Sequence, residues 1–477
     1  MTQPRPKVAY VAAHLPSYYA LEHDVFGRSR RGLEGLAAEL DFELLPVPEP
    51  VVGAEDARRA RRALEAAGAD LVLLQSSTFA MGDVVTQFAG ADFRLGLWAV
   101  EEPTHDGPVL LNNFVSLNLN AGILRHYFRT QPQPYKWFFG LPGHPWFAPR
   151  LRVTVAALRA LRLLRDSRIA LVGGVAPTFY NFVNDPRKLA ARLGTRVEEL
   201  ELDEVFRRMP KDSGRLRGAM DAMAGHARGR VEISAADFET TAAVYLALQD
   251  LAREGYAALA VSDWPRFQTE LGIHPGMAFS WLDESDGVPV ASEGDVLGAV
   301  TMLMLRAVSQ QGALLLDFTD LDLERGAALA WHCGGSPLGL ADEEGVTWKN
   351  HSTLGRKAEG AVPRGAVADF RFRPGAVTLA RVSGDTERLF FAEAEAFEGV
   401  SRGFEGSRGW LRDFRINHRP AALADLVNTI MAGGIEHHFG LVAGRHADAL
   451  AEVAAWSGLK PVDPAPYRDF LAPLEFE

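Results

Sequence analysis

Glu293, Asp317 and His332 lie between Val288 and Gly335, each at the edge of an apolar segment: VPVASEGDVLGAV, GALLLDF and LAWHCGG. A carboxylate that ends a buried run such as ALLLDF is costly unless a cation or several donors face it. Something positive therefore belongs opposite Asp317. Downstream, the glycine-rich stretch AGGIEHHFG adds His437 and His438. Two carboxylates with imidazole suit a divalent ion that accepts oxygen and nitrogen ligands, manganese first, with magnesium, cobalt or zinc as alternatives. Each residue also has a plainer reading. Glu293 fits the first turn of a helix that Ser292 caps, Asp317 fits a cap for FTDLDLERG, His332 fits a satisfied interior histidine, and His437-His438 fit a helix end. Their shared placement at element ends, with glycine nearby, favours an ion site.

The elements that must position these groups are legible as patterns. The first third alternates apolar strands with amphipathic helices: KVAYVAA from Lys7, a helix through Ser29 to Leu40, FELLPV, a helix through Glu55 to Ala67, DLVLLQSS and RLGLWAV. That is the signature of a parallel sheet covered on both faces. A second such unit follows the helix Leu151 to Arg165, with strands RIALVGG, RVEELEL and YAALAVSDW (Tyr256 to Trp264). From Val346 onward the segments are short and alternating, bounded by Pro374-Gly375 and Ser383-Gly384, which predicts an antiparallel sheet or small barrel. The expected architecture is α/β: two Rossmann-like parallel-sheet domains, 1–165 and 166–310, then a β-rich, barrel-like domain with helices, 311–477, carrying part of the metal site.

Composition narrows the function. With 477 residues the chain exceeds one core, and 47% hydrophobic with 23% charged residues is ordinary for a globular protein. A net charge of −11 argues against a nucleic-acid partner. The arginine clusters at Arg28, Arg30, Arg31 and at Arg58, Arg59, Arg61, Arg62 read as solvated helix faces. One cysteine, Cys333, excludes a disulfide framework and multi-cysteine metal sites. No signal-peptide pattern and no membrane-length apolar run are visible, so a cytoplasmic location and no membrane partner are expected. GGVAPTF after RIALV lacks the third glycine of a dinucleotide loop, and no P-loop, HExxH or GxSxG motif is present.

The segments DWPRFQTELGIHPGMAFSWLDESDGVPVASEGDVLGAVTMLML, LLLDF, WHCGG, AVTLARVSGD and MAGGIEHHFGLV resemble the L-fucose isomerase and L-arabinose isomerase superfamily. The resemblance implies a manganese-dependent aldose-ketose isomerase. It makes Glu293 and Asp317 metal ligands and the catalytic acid-base pair, and His437 or His438 the C-terminal metal histidine. Asp317 is closer to the fucose branch, whereas His332 resembles the extra histidine of the arabinose branch. The chemistry implied is proton transfer between C1 and C2 through a cis-enediol, with the ion polarising the carbonyl.

The partner is then a small-molecule sugar. Candidates to meet its hydroxyls and ring face are Trp98, Glu101, His105, Trp264, His274, Trp331, Trp348, Asn350 and His351. The resemblance also implies a homo-oligomer, trimer or hexamer, with the active site at a subunit interface. Two other readings fit the same residues: a carbohydrate-binding or sensor protein without catalysis, and another metal-assisted sugar reaction such as epimerisation or aldol cleavage.

Overall fold

The apolar runs of the first third form one parallel sheet. In the computed structural model, which describes residues 5–46, 49–128, 134–182, 184–227, 233–352, 364–399 and 405–471, its strands are β1 (Lys7–Ala13), β2 (Glu43–Pro46), β3 (Leu71–Ser76), β4 (Arg94–Ala99) and β5 (Tyr135–Phe139). They pair in the order β2-β1-β3-β4-β5, all parallel. Strand β3 is buried at every position, because helices cover both faces, and that is why its sequence does not alternate. Arg28, Arg30, Arg31, Arg58, Arg59 and Arg62 are exposed on the helices Val25–Leu40 and Ala54–Ala66, the solvated faces expected of them. Residues Gln3–Arg162 make up one compact unit and Leu163–Glu477 another.

Within the second unit, β6 (Arg168–Val172), β7 (Arg196–Leu200), β8 (Ala258–Val261) and β9 (Val290–Ala291) form a parallel sheet of order β7-β6-β8-β9. Strand β8 is shorter than the Tyr256 to Trp264 segment expected. Its ladder ends where the Ser262 N–H bonds the Val172 carbonyl, and Asp263 then turns to serve a neighbouring loop. The carboxyl ends of β8 and β9 carry Asp263 and Glu293, the place where parallel sheets gather ligands.

The remaining strands are β10 (Leu314–Asp322), β11 (Ala327–His332), β12 (Thr347–Asn350), β13 (Ala366–Arg371), β14 (Gly375–Ser383), β15 (Arg388–Phe397), β16 (Ser407–Ile416), β17 (Arg419–Pro420), β18 (Phe439–Ala443) and β19 (Lys460–Pro461). Antiparallel pairing runs from β16 through β11, β10, β18, β14 and β15 and returns to β16, so these strands close a ring. Closure removes the edges that an open antiparallel sheet would expose. The helix Val296–Ser309 is apolar almost all round because it lies between β8 on one side and β14 and β18 on the other. One continuous core therefore joins the parallel sheet, through Val172 and Leu259, to the ring, through Leu316, Leu379 and Leu441.

Two local expectations change. Asp317 does not end its strand: β10 runs on to Asp322, so Asp317 is a strand residue at the point where the chain leaves the core and not a cap for FTDLDLERG. The cap of the helix Val296–Ser309 is Asp295, whose side chain accepts from the Gly298 N–H at 2.8 Å, rather than Ser292. Among the described residues, no helix is long and apolar enough to cross a membrane.

Candidate metal and catalytic site

Three neighbouring strands of the ring set the first part of the site. Leu316 pairs with Phe439, which follows His438, and Asp317 pairs with Trp331, which precedes His332, so both histidines adjoin the strand residues next to Asp317. The second part comes from the parallel sheet. Glu293 follows β9 in a short 3-10 turn, Ser292–Gly294, with φ 61° and ψ 14°. A left-handed glutamate is strained and persists only where its surroundings hold it. Here its N–H donates to Asp263 Oδ1 at 2.7 Å and its carbonyl accepts from Ala176 N–H at 2.9 Å. Gly294 follows with φ +73°, where an added Cβ would stand 2.2 Å from the Gly174 carbonyl oxygen.

Side chains from these elements converge. His438 Nε2 lies 3.5 Å from Glu293 Oε2 and 3.8 Å from Asp317 Oδ1. His437 Nε2 lies 3.3 Å from the same Glu293 oxygen. Ligand atoms of Glu293, His437 and His438 fall within 4.8 Å of one another, as do those of Asp317, His332 and His438, so the two groups share His438. Asp317 Oδ1 is buried with no hydrogen-bond partner among the described residues. An orphaned carboxylate oxygen grouped with the imidazoles of His332 and His438 is what a dication would satisfy, and oxygen and nitrogen donors of this kind fit one.

Electrostatics agree. Burial, with the charges of Asp263 and Asp295 adding to it, pushes the Glu293 carboxyl up to about 9. Burial likewise raises Asp317 to about 7, against a pull from His437. Burial lowers His438 to about 4. Near neutral pH the Glu293 carboxyl thus holds its proton beside a neutral His438 imidazole. Such displaced carboxyls in a cleft are typical of groups that move protons.

A further layer holds His438. Its Nδ1 meets Asp295 Oδ2 at 3.1 Å, and Asp295 is fully buried in a two-pronged pair with the equally buried Arg381 of β14. Burial alone would raise the Asp295 carboxyl, but Arg381 and His438 outweigh it and keep it well below the usual carboxylate range. Phe182 stacks on His438 with ring centroids 4.7 Å apart and leans on His437 at 4.6 Å. Beside Asp317 and His437 opens a cavity of about 660 Å³ with an apolar wall that includes Phe318, Leu426, Ile430 and Phe439.

The structure thus brings Glu293, Asp317, His332, His437 and His438 together. The sugar-contact candidates differ in their surroundings. Trp98 and Trp348 are fully buried, their indole N–H groups bonded to the Gly140 and Met223 carbonyls, so neither offers an open ring face. His274 and His351 are buried and stacked on each other at 5.7 Å. Trp331 is buried beside His332, Asn350 ends β12, and Trp264 is 41% exposed after Asp263. Glu101 and His105 are exposed in the N-terminal unit, where Glu101 meets His144 at 3.4 Å. Asp295, Arg381, Asp263 and Phe182 were not foreseen. Of these, only Arg381 had a visible signal, a charge in the middle of the apolar strand AVTLARVSGD.

No family model matches the chain. Sulfoquinovose isomerases of Priestia aryabhattai and Priestia megaterium are each 28% identical over 402 residues, 82% of this chain and 84% of theirs. The sulfoquinovose isomerase of Alkalicoccus urumqiensis is 28% identical over 398 residues, 80% of this chain and 83% of that one. The chain is a distant relative of sugar isomerases. Among solved structures, an ABC transporter solute binding protein from Burkholderia multivorans covers 65% of this chain and 95% of its own at 10% identity and a TM-score of 0.19, too slight a likeness to carry an argument.

Proposed function

We propose that the protein is a metal-dependent aldose-ketose isomerase, a divergent member of the fucose and arabinose isomerase superfamily, with sulfoquinovose the first aldose to test. The observation that carries the reading is His438 Nε2 standing 3.5 Å from Glu293 Oε2 and 3.8 Å from Asp317 Oδ1, the latter oxygen buried without a hydrogen-bond partner among the described residues. These three residues would hold a divalent ion, manganese being the first choice. When bound, the ion supplies polarisation of the sugar carbonyl and neutralises the two carboxylates.

The chain's own groups carry the protons. One of the pair Glu293 and Asp317 takes the C2 proton of the aldose, giving a cis-enediol, and a proton is delivered to C1. The hydroxyl proton of O2 is meanwhile transferred to O1, which leaves the carbonyl at C2. Asp317, raised to about 7, suits this work, because a base whose conjugate acid titrates near neutrality both accepts and returns a proton.

Incubating the manganese-loaded protein in D2O with a panel of aldoses and ketoses, sulfoquinovose included, tests the reading. A carbonyl shift from C1 to C2 with deuterium entering at carbon is expected. Binding without exchange would instead mean a binder, and cleavage or inversion a different metal-assisted reaction.

Metal binding should also release protons. Since the ion-free site holds protons on Glu293 below about pH 9 and on Asp317 below about pH 7, manganese displaces both at pH 6 and only the Glu293 proton at pH 8. Affinity therefore climbs with pH up to about 9. Calorimetric titrations in buffers of differing ionisation enthalpy read the proton count directly, and a pH-independent affinity would contradict the assignment.

A further inference from the structure

His332 and His438 meet edge to face with ring centroids 5.2 Å apart, yet the nitrogens that anchor them meet opposite kinds of partner. A neutral imidazole carries one N–H, so the partner of one nitrogen decides what the other can do. His438 Nδ1 faces the Asp295 carboxylate, kept ionised by Arg381, at 3.1 Å. A carboxylate only accepts. The His438 proton is therefore on Nδ1, and Nε2 keeps its lone pair toward Glu293 and Asp317.

His332 is built the other way round. Its Nδ1 lies 2.8 Å from the backbone N–H of Gly334, which only donates. Nδ1 is then bare and the proton is on Nε2. The arrangement is local and depends on the glycine: a Cβ on Gly334 would stand 2.6 Å from the His332 ring and 2.3 Å from Ser292 Oγ. The same spacing recurs where His274 Nδ1 accepts from the Gly276 N–H at 3.0 Å. His437 is also a donor at Nε2: Asn181 Nδ2 donates to its Nδ1 at 3.1 Å, and Nε2 faces Glu293 at 3.3 Å.

We infer that His332 is a hydrogen-bond donor to the sugar and not a metal ligand, its Nε2–H meeting a carbonyl or hydroxyl oxygen of the aldose bound beside Asp317 and His438. The inference rests on the isomerase reading above. To ligate, His332 would have to carry its proton on Nδ1, and two donors would then face each other across 2.8 Å. As a donor it stabilises the negative charge that grows on a sugar oxygen when the C2 proton leaves. His438 is then the imidazole that holds the ion, while His332 and His437 supply protons on hydrogen bonds.

Manganese(II) affinity, measured from the free-ion electron paramagnetic resonance signal, separates ligand from donor. His332→Asn keeps an acceptor for the Gly334 N–H and loses the distal N–H; His332→Gln places an amide N–H near the lost Nε2. The two spoil different halves of the ring's contacts, and one folded variant suffices. Both should bind manganese within about threefold of wild type, whereas His438→Gln should lose about 100-fold or more, at the upper end of what a disturbed metal site loses. With the aldose that the panel shows to be converted, His332→Asn should lose about 10²- to 10³-fold in kcat, as for one oxyanion donor, and His332→Gln less.

A folded His332 variant that loses manganese as His438→Gln does would overturn the assignment, and so would full kcat in His332→Asn. Wild-type protein that binds no manganese would overturn the isomerase reading itself and this assignment with it.

Discussion

Glu293→Gln and Asp317→Asn should each reduce sugar isomerisation by about 10²- to 10⁴-fold, the range expected when a positioned acid or base is removed. Both changes keep the shape of the side chain and remove its charge and its capacity to take a proton. The fold should survive. The backbone of Glu293 is held through Asp263 and Ala176, and neither contact uses its carboxyl. The sign of the stability effect also follows. A buried carboxyl whose folded pKa is raised, as Glu293 is to about 9, holds its proton in the native state. That contribution is lost as pH rises from the ordinary range of a glutamate through 9. Metal-free Glu293→Gln should therefore unfold at a higher temperature than metal-free wild type at pH 9, and the two should converge near pH 4. Calorimetric scans at both pH values, with chelator present, check this. A Glu293→Gln protein of wild-type activity would remove the proposed chemistry altogether.

The second large effect concerns stability. Arg381→Met should destabilise the protein by about 3–5 kcal/mol, because it leaves the fully buried Asp295 carboxylate without its cation. Asp295→Asn should cost a similar amount by stranding Arg381, whose other near carboxylate, Glu436, lies 3.5 Å away. The double variant should cost less than the sum of the two, since the residues are one pair. Asp295→Asn should also weaken manganese binding by about 10- to 100-fold, the usual result of removing the group that orients a ligating histidine. Denaturant midpoints and metal titration measure the two effects separately. Single variants within about 1 kcal/mol of wild type would show that the pair is not the buried ion pair described.

Much of this was legible from the chain, and the reasons differ by residue. The parallel sheets announce themselves because β3 and β8 are apolar without alternation, and the ring because short strand-like segments follow one another between turn residues. Glu293 and Asp317 could be singled out because each ends an apolar run, where a carboxylate demands explanation. What the sequence hid is long-range. Asp295 takes the cap that the sequence assigns to Ser292, and its pairing with Arg381 spans 86 positions. His437 and His438 are adjacent and alike in sequence. They separate only through Asn181, 256 residues from His437, and through Asp295, 143 from His438. Phe182 carries no signal at all, because any apolar residue reads the same until the fold lays it against two imidazoles. His332 was visible as a metal-competent residue, but its role depends on which nitrogen carries the proton, and that follows from the Gly334 N–H.

Anomalous diffraction at the manganese absorption edge, from crystals of the wild-type protein soaked in manganese(II), tests the centre of the account most directly. One strong peak is expected within about 2.0–2.3 Å of a Glu293 oxygen, an Asp317 oxygen and His438 Nε2. A peak elsewhere in the molecule, or none at millimolar manganese, would contradict the assignment of these three residues to a catalytic metal.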